Sequence, residues 1–145
     1  MRRIRTVEET IAARYSEQQM RCPTHLSSGQ EAVSAAAGAV LRNSDLAVSG
    51  HRAHAHYLAK GGNLNAMIAE IYGRVTGCAR GKGGSMHLID ESVGFMGSTA
   101  IVGGTVPIGV GLGHSLQLDG VDDIACIFIG DAVVETGVFY ESLNF

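Results

Sequence analysis

Apolar residues recur at helical spacing from the first residues of the chain. Ile4, Val7, Ile11 and Tyr15 fall on one face and predict an amphipathic helix over the first twenty residues, ending before Pro23. Ser28-Gly29-Gln30-Glu31 reads as a capping box that opens a second helix, Ala32 to Leu41, whose alanines suit close packing. After the turn Asn43-Ser44-Asp45, the run Leu46-Ala47-Val48-Ser49 reads as a short strand, and Gly50-His51-Arg52 begins another helix directly at its end. Asn63 caps a further helix that carries Leu64, Met67, Ile68 and Ile71 on one face and closes near Gly73. Gly77 to Gly104 shows no period and is expected as ordered loop. Gly104 to Leu118 predicts a small-residue helix started near Pro107 and ended by Asp119-Gly120, leading into the apolar strand Ile124 to Ile129. A last helix opens at Gly137, and the chain stops inside it.

Strands alternating with helices predict the α/β class with a mainly parallel, doubly wound sheet. Two strand-to-helix junctions carry polar groups, Gly50-His51-Arg52 and Gly130-Asp131-Ala132. Ligands of open α/β sheets bind at the carboxyl ends of strands, and an Asp beside the free N–H groups of a helix start can hold a divalent cation against a phosphate.

Composition narrows the picture. With 145 residues, 46% of them hydrophobic and 17% charged, the chain can bury one core and is not of the disordered type. A net charge of -3 provides no electrostatic footprint for nucleic acid, despite the basic cluster Arg2-Arg3-Ile4-Arg5. No apolar run is long enough for a membrane span, and the N-terminus lacks a signal-peptide pattern, so the expected location is the cytoplasm. Cys22, Cys78 and Cys126 have neither disulfide parity nor zinc spacing, and Cys126 reads as a small core residue. The glycines crowd between Gly73 and Gly113, which points to tight turns and close backbone approach.

Five motifs now stand in order: His25-Leu26-Ser27-Ser28-Gly29-Gln30-Glu31-Ala32, His51-Arg52-Ala53-His54, Gly81-Lys82-Gly83-Gly84-Ser85-Met86-His87, Ile101-Val102-Gly103-Gly104-Thr105-Val106-Pro107 and Gly130-Asp131-Ala132. Together they resemble the α subunit of thiamine-diphosphate-dependent 2-oxo acid dehydrogenase E1 components, of the pyruvate and acetoin dehydrogenase type, over essentially the whole chain. The resemblance implies a thiamine diphosphate-binding fold, of which residues 1–145 are the N-terminal part of one domain. It also implies an α2β2 assembly with an E1 β subunit, a lipoyl-E2 partner and a small 2-oxo acid substrate such as pyruvate. Thiamine diphosphate and Mg²⁺ are the implied cofactors.

Residue by residue, the resemblance makes Asp131 a Mg²⁺ ligand, with Gly130 and Ala132 beside it in the cofactor motif. The motif's downstream Asn has no counterpart before Phe145, so the fragment alone is expected to be inactive. Ala132 stands where the family has a second Gly and is expected to be tolerated unless that position needs a positive φ. Arg52 matches the Arg that grips the diphosphate, a task for which its planar donor fork is suited, and His51 stands where the family often has Tyr. The alternative for Arg52 is an ordinary surface residue. Ala100, Ile101 and Val102 match the segment that meets the aminopyrimidine ring, helped by the small Gly97, Gly103 and Gly104. Close helix packing is the simpler role for Gly109, Gly111 and Gly113. His25 and His54 match catalytic histidines near the cofactor channel, since imidazole changes charge near neutral pH; each is equally open to a structural role. His56 and His114 are taken as structural, and His87 closes a rigid Gly-rich loop that lacks the strand and GKS/GKT ending of a P-loop. Two other readings stay open: another thiamine diphosphate enzyme, for example an acetoin-cleaving one, and a non-catalytic scaffold.

Overall fold

The computed structural model describes residues 1–20 and 22–145. Its regular elements are α1 (Arg2–Tyr15), α2 (Glu31–Val40), β1 (Leu46–Ser49), α3 (His54–Ala59), α4 (Leu64–Ile71), β2 (Phe95–Ser98), α5 (Thr105–Asp119), β3 (Ala125–Phe128) and α6 (Gly137–Asn144). Short 3₁₀ turns occupy Glu91–Val93 and Asp131–Glu135.

The strands form one parallel sheet in the order β2-β1-β3, in register between Ala47 and Cys126 and between Val48 and Ile127. Parallel neighbours require crossovers, which α3 and α4 supply between β1 and β2 and α5 supplies between β2 and β3. Successive strand residues face opposite sides. Ala47, Phe95 and Phe128 join Ile4, Ile11, Tyr57, Met67, Ile71 and Leu88 in the main core, so α1, α3 and α4 cover one face. On the other face Val48 and Ile127 approach Gly109 of α5 so closely that a Cβ there would overlap Ile127. Helices therefore cover both faces of a parallel α/β sheet, as the alternation predicts. Tyr57, fully buried, meets Phe95 edge to face at 5.5 Å, a contact type worth about 1 kcal/mol beyond the area it buries. No described helix is long and apolar enough to cross a membrane.

Several boundaries differ from expectation, each for a local reason. The first helix ends at Tyr15, and Tyr15 is exposed; the buried face of α1 consists of Ile4, Glu8 and Ile11. The capping box does not form around Ser28. Gln30, not Ser28, precedes α2 and makes no side-chain cap, although the Glu31 carboxylate does accept the Gly29 N–H at 3.0 Å. Arg5 shares that carboxylate, its Nε donating to the same Glu31 Oε1 at 2.5 Å. The third helix starts at His54 instead of Gly50, so Arg52 lies in the turn ahead of it. Residues 95–98, inside the stretch that the sequence predicts as loop, form β2, an edge partner of β1. Asn63 caps α4 as read, its Oδ1 accepting from the Ala66 N–H at 3.0 Å, and Gly120 ends α5 at a φ of 68°.

Candidate functional site

All three strands point their carboxyl ends the same way, and β1 sits between neighbours that follow it in sequence on opposite sides. That is the switch-point geometry at which a crevice opens in parallel sheets. A cleft of about 540 Å³ occupies the place. One wall comes from the turn after β1 with His51 and Arg52, the opposite wall from Gly130 and Asp131 after β3, and Val102 lies at the rim. Five of the residues read from the sequence thus share one cavity.

Each has a definite setting. An Arg52 Nη1–H donates to the Leu26 carbonyl, which anchors the guanidinium while leaving further donors of its fork unused. Asp131 and Ala132 are exposed and open a 3₁₀ turn, so their backbone N–H groups have no acceptor within the turn. Ala132 is not among the residues with positive φ, and its methyl group therefore costs nothing in backbone strain. Ala100 and Ile101 are exposed beside the cleft. The Ile101 N–H is taken by Thr99 Oγ1 and its carbonyl by the Gly104 N–H, whereas Ala100 and Val102 have no backbone partner among the described residues. Gly103, at a φ of 81° and buried against Thr136 and Val138, lets this loop turn into α5.

The two histidines read as catalytic differ. His25 stands edge-on to His51, ring centres 4.7 Å apart, and its Nδ1 is buried without a hydrogen-bond partner. Burial lowers its pKa, and the neighbouring His51, Arg52 and His54 lower it further. Neither of the two lines the cleft, and His54 lies deeper. It is fully buried, with Nδ1 3.0 Å from Glu8 Oε2 and Nε2 2.8 Å from Ser85 Oγ. Direct contact of His54 with a ligand is excluded in this arrangement, because both ring nitrogens are already engaged inside the protein.

His56, taken from the sequence as structural, lies on the cleft wall. Its ring stacks on Phe128 at 3.9 Å, its Nδ1 shares a hydrogen bond of 2.8 Å with Ser49 Oγ, and burial pushes its pKa down to about 4. Nothing in the local sequence distinguishes it from His54 two residues earlier, since the difference lies in which side of α3 meets the strand ends.

The Gly-rich loop proves to be a nest around an internal anion. The buried Glu70 carboxylate accepts the N–H groups of Ala79, Gly81, Gly83 and Gly84 at 2.7, 2.8, 2.6 and 3.2 Å. Amides that would cradle a phosphate elsewhere are consumed by the chain itself, and the loop is tied to His25 and His54 through Ser85. His87 is exposed and binds the Gly83 carbonyl at 3.1 Å, away from the cleft lining. Among the described residues no cluster of three or more His, Cys, Asp or Glu is placed to hold a metal ion.

The whole chain, residues 1–145, matches the family of the dehydrogenase E1 component. It is 40% identical over 141 residues to the pyruvate dehydrogenase E1 component subunit alpha of Rickettsia bellii, covering 97% of this chain and 43% of that protein. To the chloroplastic pyruvate dehydrogenase E1 component subunit alpha-3 of Arabidopsis thaliana it is 38% identical, with 97% of this chain and 34% of that protein covered. To the alpha subunit of acetoin:2,6-dichlorophenolindophenol oxidoreductase of Bacillus subtilis it is 36% identical, with 99% and 43% covered. The chain thus spans less than half the length of these curated relatives.

Proposed function

Because this chain belongs to the dehydrogenase E1 component family, we propose that it is the diphosphate-binding part of an α-type subunit in a thiamine diphosphate enzyme. That enzyme oxidatively decarboxylates a 2-oxo acid, pyruvate above all, and passes the acyl group to a lipoyl-E2 protein. Residues 1–145 belong to one thiamine diphosphate-binding domain, and an E1 β subunit completes the site in an α2β2 assembly.

The observation that carries this reading is the pairing of Arg52 and His51 on one wall of the cleft with Asp131 and free backbone N–H groups on the other. A cationic fork, unpaired amides and one carboxylate suit a diphosphate bridged to a hard divalent cation. Mg²⁺ fits only in part. Asp131 offers one oxygen donor set, and such a cation takes about six oxygens, so phosphate oxygens and groups outside the described residues must complete the shell.

When bound, thiamine diphosphate supplies the electron sink for decarboxylation. This chain's residues position and exclude. Arg52 grips phosphate oxygens while its bond to the Leu26 carbonyl fixes the direction of approach. Val102, with Ala100 and Ile101 beside it, covers the apolar part of the cofactor and offers backbone groups to its ring. His25, its pKa held below the ordinary value by burial, backs His51 of the cleft wall and is the imidazole nearest the site that has no fixed partner at Nδ1. His54 acts from beneath.

Calorimetric titration of thiamine diphosphate into the full-length protein with its β-type partner tests the reading. Binding is expected with Mg²⁺ and lost with EDTA or with Asp131→Ala. Equal affinity in the Asp131→Ala protein rejects the site. Assays with pyruvate, branched-chain oxo acids and acetoin then decide the substrate, acetoin being included because one relative acts on it by name.

A further inference from the structure

We propose that Glu8, His54 and Ser85 form a buried positioning relay that holds the backbone of His25 and so sets its imidazole against His51 of the cleft wall. The inference rests on the reading of His25 as a residue of the site, behind His51, and it adds Glu8 and Ser85, from two distant parts of the chain, to the machinery of the site.

The hydrogen bonds close a circuit. Glu8 Oε1 accepts the Ser27 N–H at 3.1 Å, and Glu8 Oε2 meets His54 Nδ1. His54 Nε2 meets Ser85 Oγ, and that oxygen accepts the His25 N–H at 3.3 Å. The circuit returns to Glu8 through residues 25–27. Between its two attachment points, the Leu26 carbonyl is held by Arg52. Three successive residues thus have a backbone group fixed by a side chain, and the imidazole carried by the first of them is left with an unbonded Nδ1. A backbone fixed at three successive residues is the arrangement that preorganises the side chain it carries.

Donor and acceptor accounting gives the relay a direction. The His25 N–H fills one lone pair of Ser85 Oγ, so the hydroxyl proton is free to point at His54 Nε2. That nitrogen must then be bare, which puts the ring proton on Nδ1, facing the carboxylate. One tautomer satisfies every group. The order Ser-His-Glu also matches a nucleophilic triad, but Glu8, His54 and Ser85 have no solvent exposure and the Ser85 oxygen is committed to a backbone amide. The same three groups are therefore placed to hold and not to attack.

The test uses the full-length protein with its partner subunit and two readouts. In Ser85→Ala, amide hydrogen exchange at His25 and Ser27 is expected to rise roughly tenfold or more, the scale of one lost hydrogen bond. Turnover falls while KM for the oxo acid changes less. In a His25→Ala background the same substitution costs no further kcat, because a residue acting through His25 has nothing left to act on. If Ser85→Ala does not fold, Glu8→Gln provides the second route: its amide keeps the Ser27 bond but turns an N–H toward His54, and ¹⁵N imidazole shifts should report the proton moved from Nδ1 to Nε2. Unchanged exchange at residues 25–27, additive loss in the double variant, or an unchanged tautomer in Glu8→Gln overturns the relay. The exchange and tautomer readouts need no turnover. Both effects in the variants of a protein whose wild type never binds thiamine diphosphate support the relay and sink the proposed function alone.

Discussion

Glu70 Oε1 accepts the backbone N–H of Gly83 at 2.6 Å, the shortest of four such bonds by which one carboxylate organises the loop from Ala79 to Gly84. Removing the carboxylate strands several amides at once. Glu70→Ala is expected to destabilise the protein by on the order of 3–5 kcal/mol, given about 1–3 kcal/mol for each buried donor left unpaired and partial relief by water. Glu70→Gln should recover only part of this, since half of its head group is a donor facing donors. Urea denaturation measures both, and a midpoint unmoved in Glu70→Ala would show that the nest is incidental.

Arg52 combines a cleft position with an anchor on the Leu26 carbonyl. Arg52→Ala is expected to weaken thiamine diphosphate binding roughly 10- to 100-fold, the range for lost hydrogen bonds to a charged group. Arg52→Lys should restore a minor part, because a point charge cannot hold the carbonyl and a phosphate together as a planar fork does. If both variants reach saturation at the wild-type cofactor concentration, Arg52 has no part in binding.

Acid stability follows from two carboxyl groups. Hydrogen bonding from Arg5 brings the Glu31 pKa down to about 2. At Asp45, burial works to raise the value, and bonds from Arg42 and the Ile124 N–H outweigh it, again leaving about 2. Both folded values lie below the unfolded ones, so the stabilisation is present above about pH 4.5 and is lost as pH falls toward 2. Thermal midpoints taken from pH 6 to pH 2 should hold to about pH 4.5 and then drop. Asp45→Asn should flatten the drop, and an equally steep fall in that variant would assign the acid lability elsewhere.

Gly109 and Gly111 make a matched pair on α5. A Cβ at position 109 would overlap Ile127, whereas at position 111 it would meet nothing within 4 Å. Gly109→Ala is expected to cost about 1–3 kcal/mol by overpacking the sheet, and Gly111→Ala to add up to about 1 kcal/mol of stability by restricting the unfolded chain. Chemical denaturation of the two variants should move in opposite directions, and a shared direction would contradict the packing.

What could be read without coordinates was the local chemistry. Ser49-Gly50 and Gly130-Asp131 mark strand ends by an abrupt change from apolar to polar, and His51, Arg52 and Asp131 do share a cleft there. Phe95-Met96-Gly97-Ser98 was not legible as β2, because four residues containing a Gly show no alternation and their pairing with β1 is entirely non-local. Glu8 escaped for a different reason. It lies one turn from Ile4 on the buried face of α1, and a search for apolar periodicity passes over a carboxylate whose partner, His54, is supplied from elsewhere in the chain. The position of His54 was therefore readable while its enclosure was not.

The placement of β1 between β2 and β3 also sets a timetable. The central strand is made first, and neither neighbour exists until residues 95–98 and 125–128 have been synthesised. At translation speeds of roughly 5–20 residues per second, Leu46–Ser49 waits for seconds without a ladder on either side. The helix that packs on it, α5, is made later than β2 as well. The strand on which the cleft is later built therefore has both edges, and the face that α5 comes to cover, unpartnered for that interval.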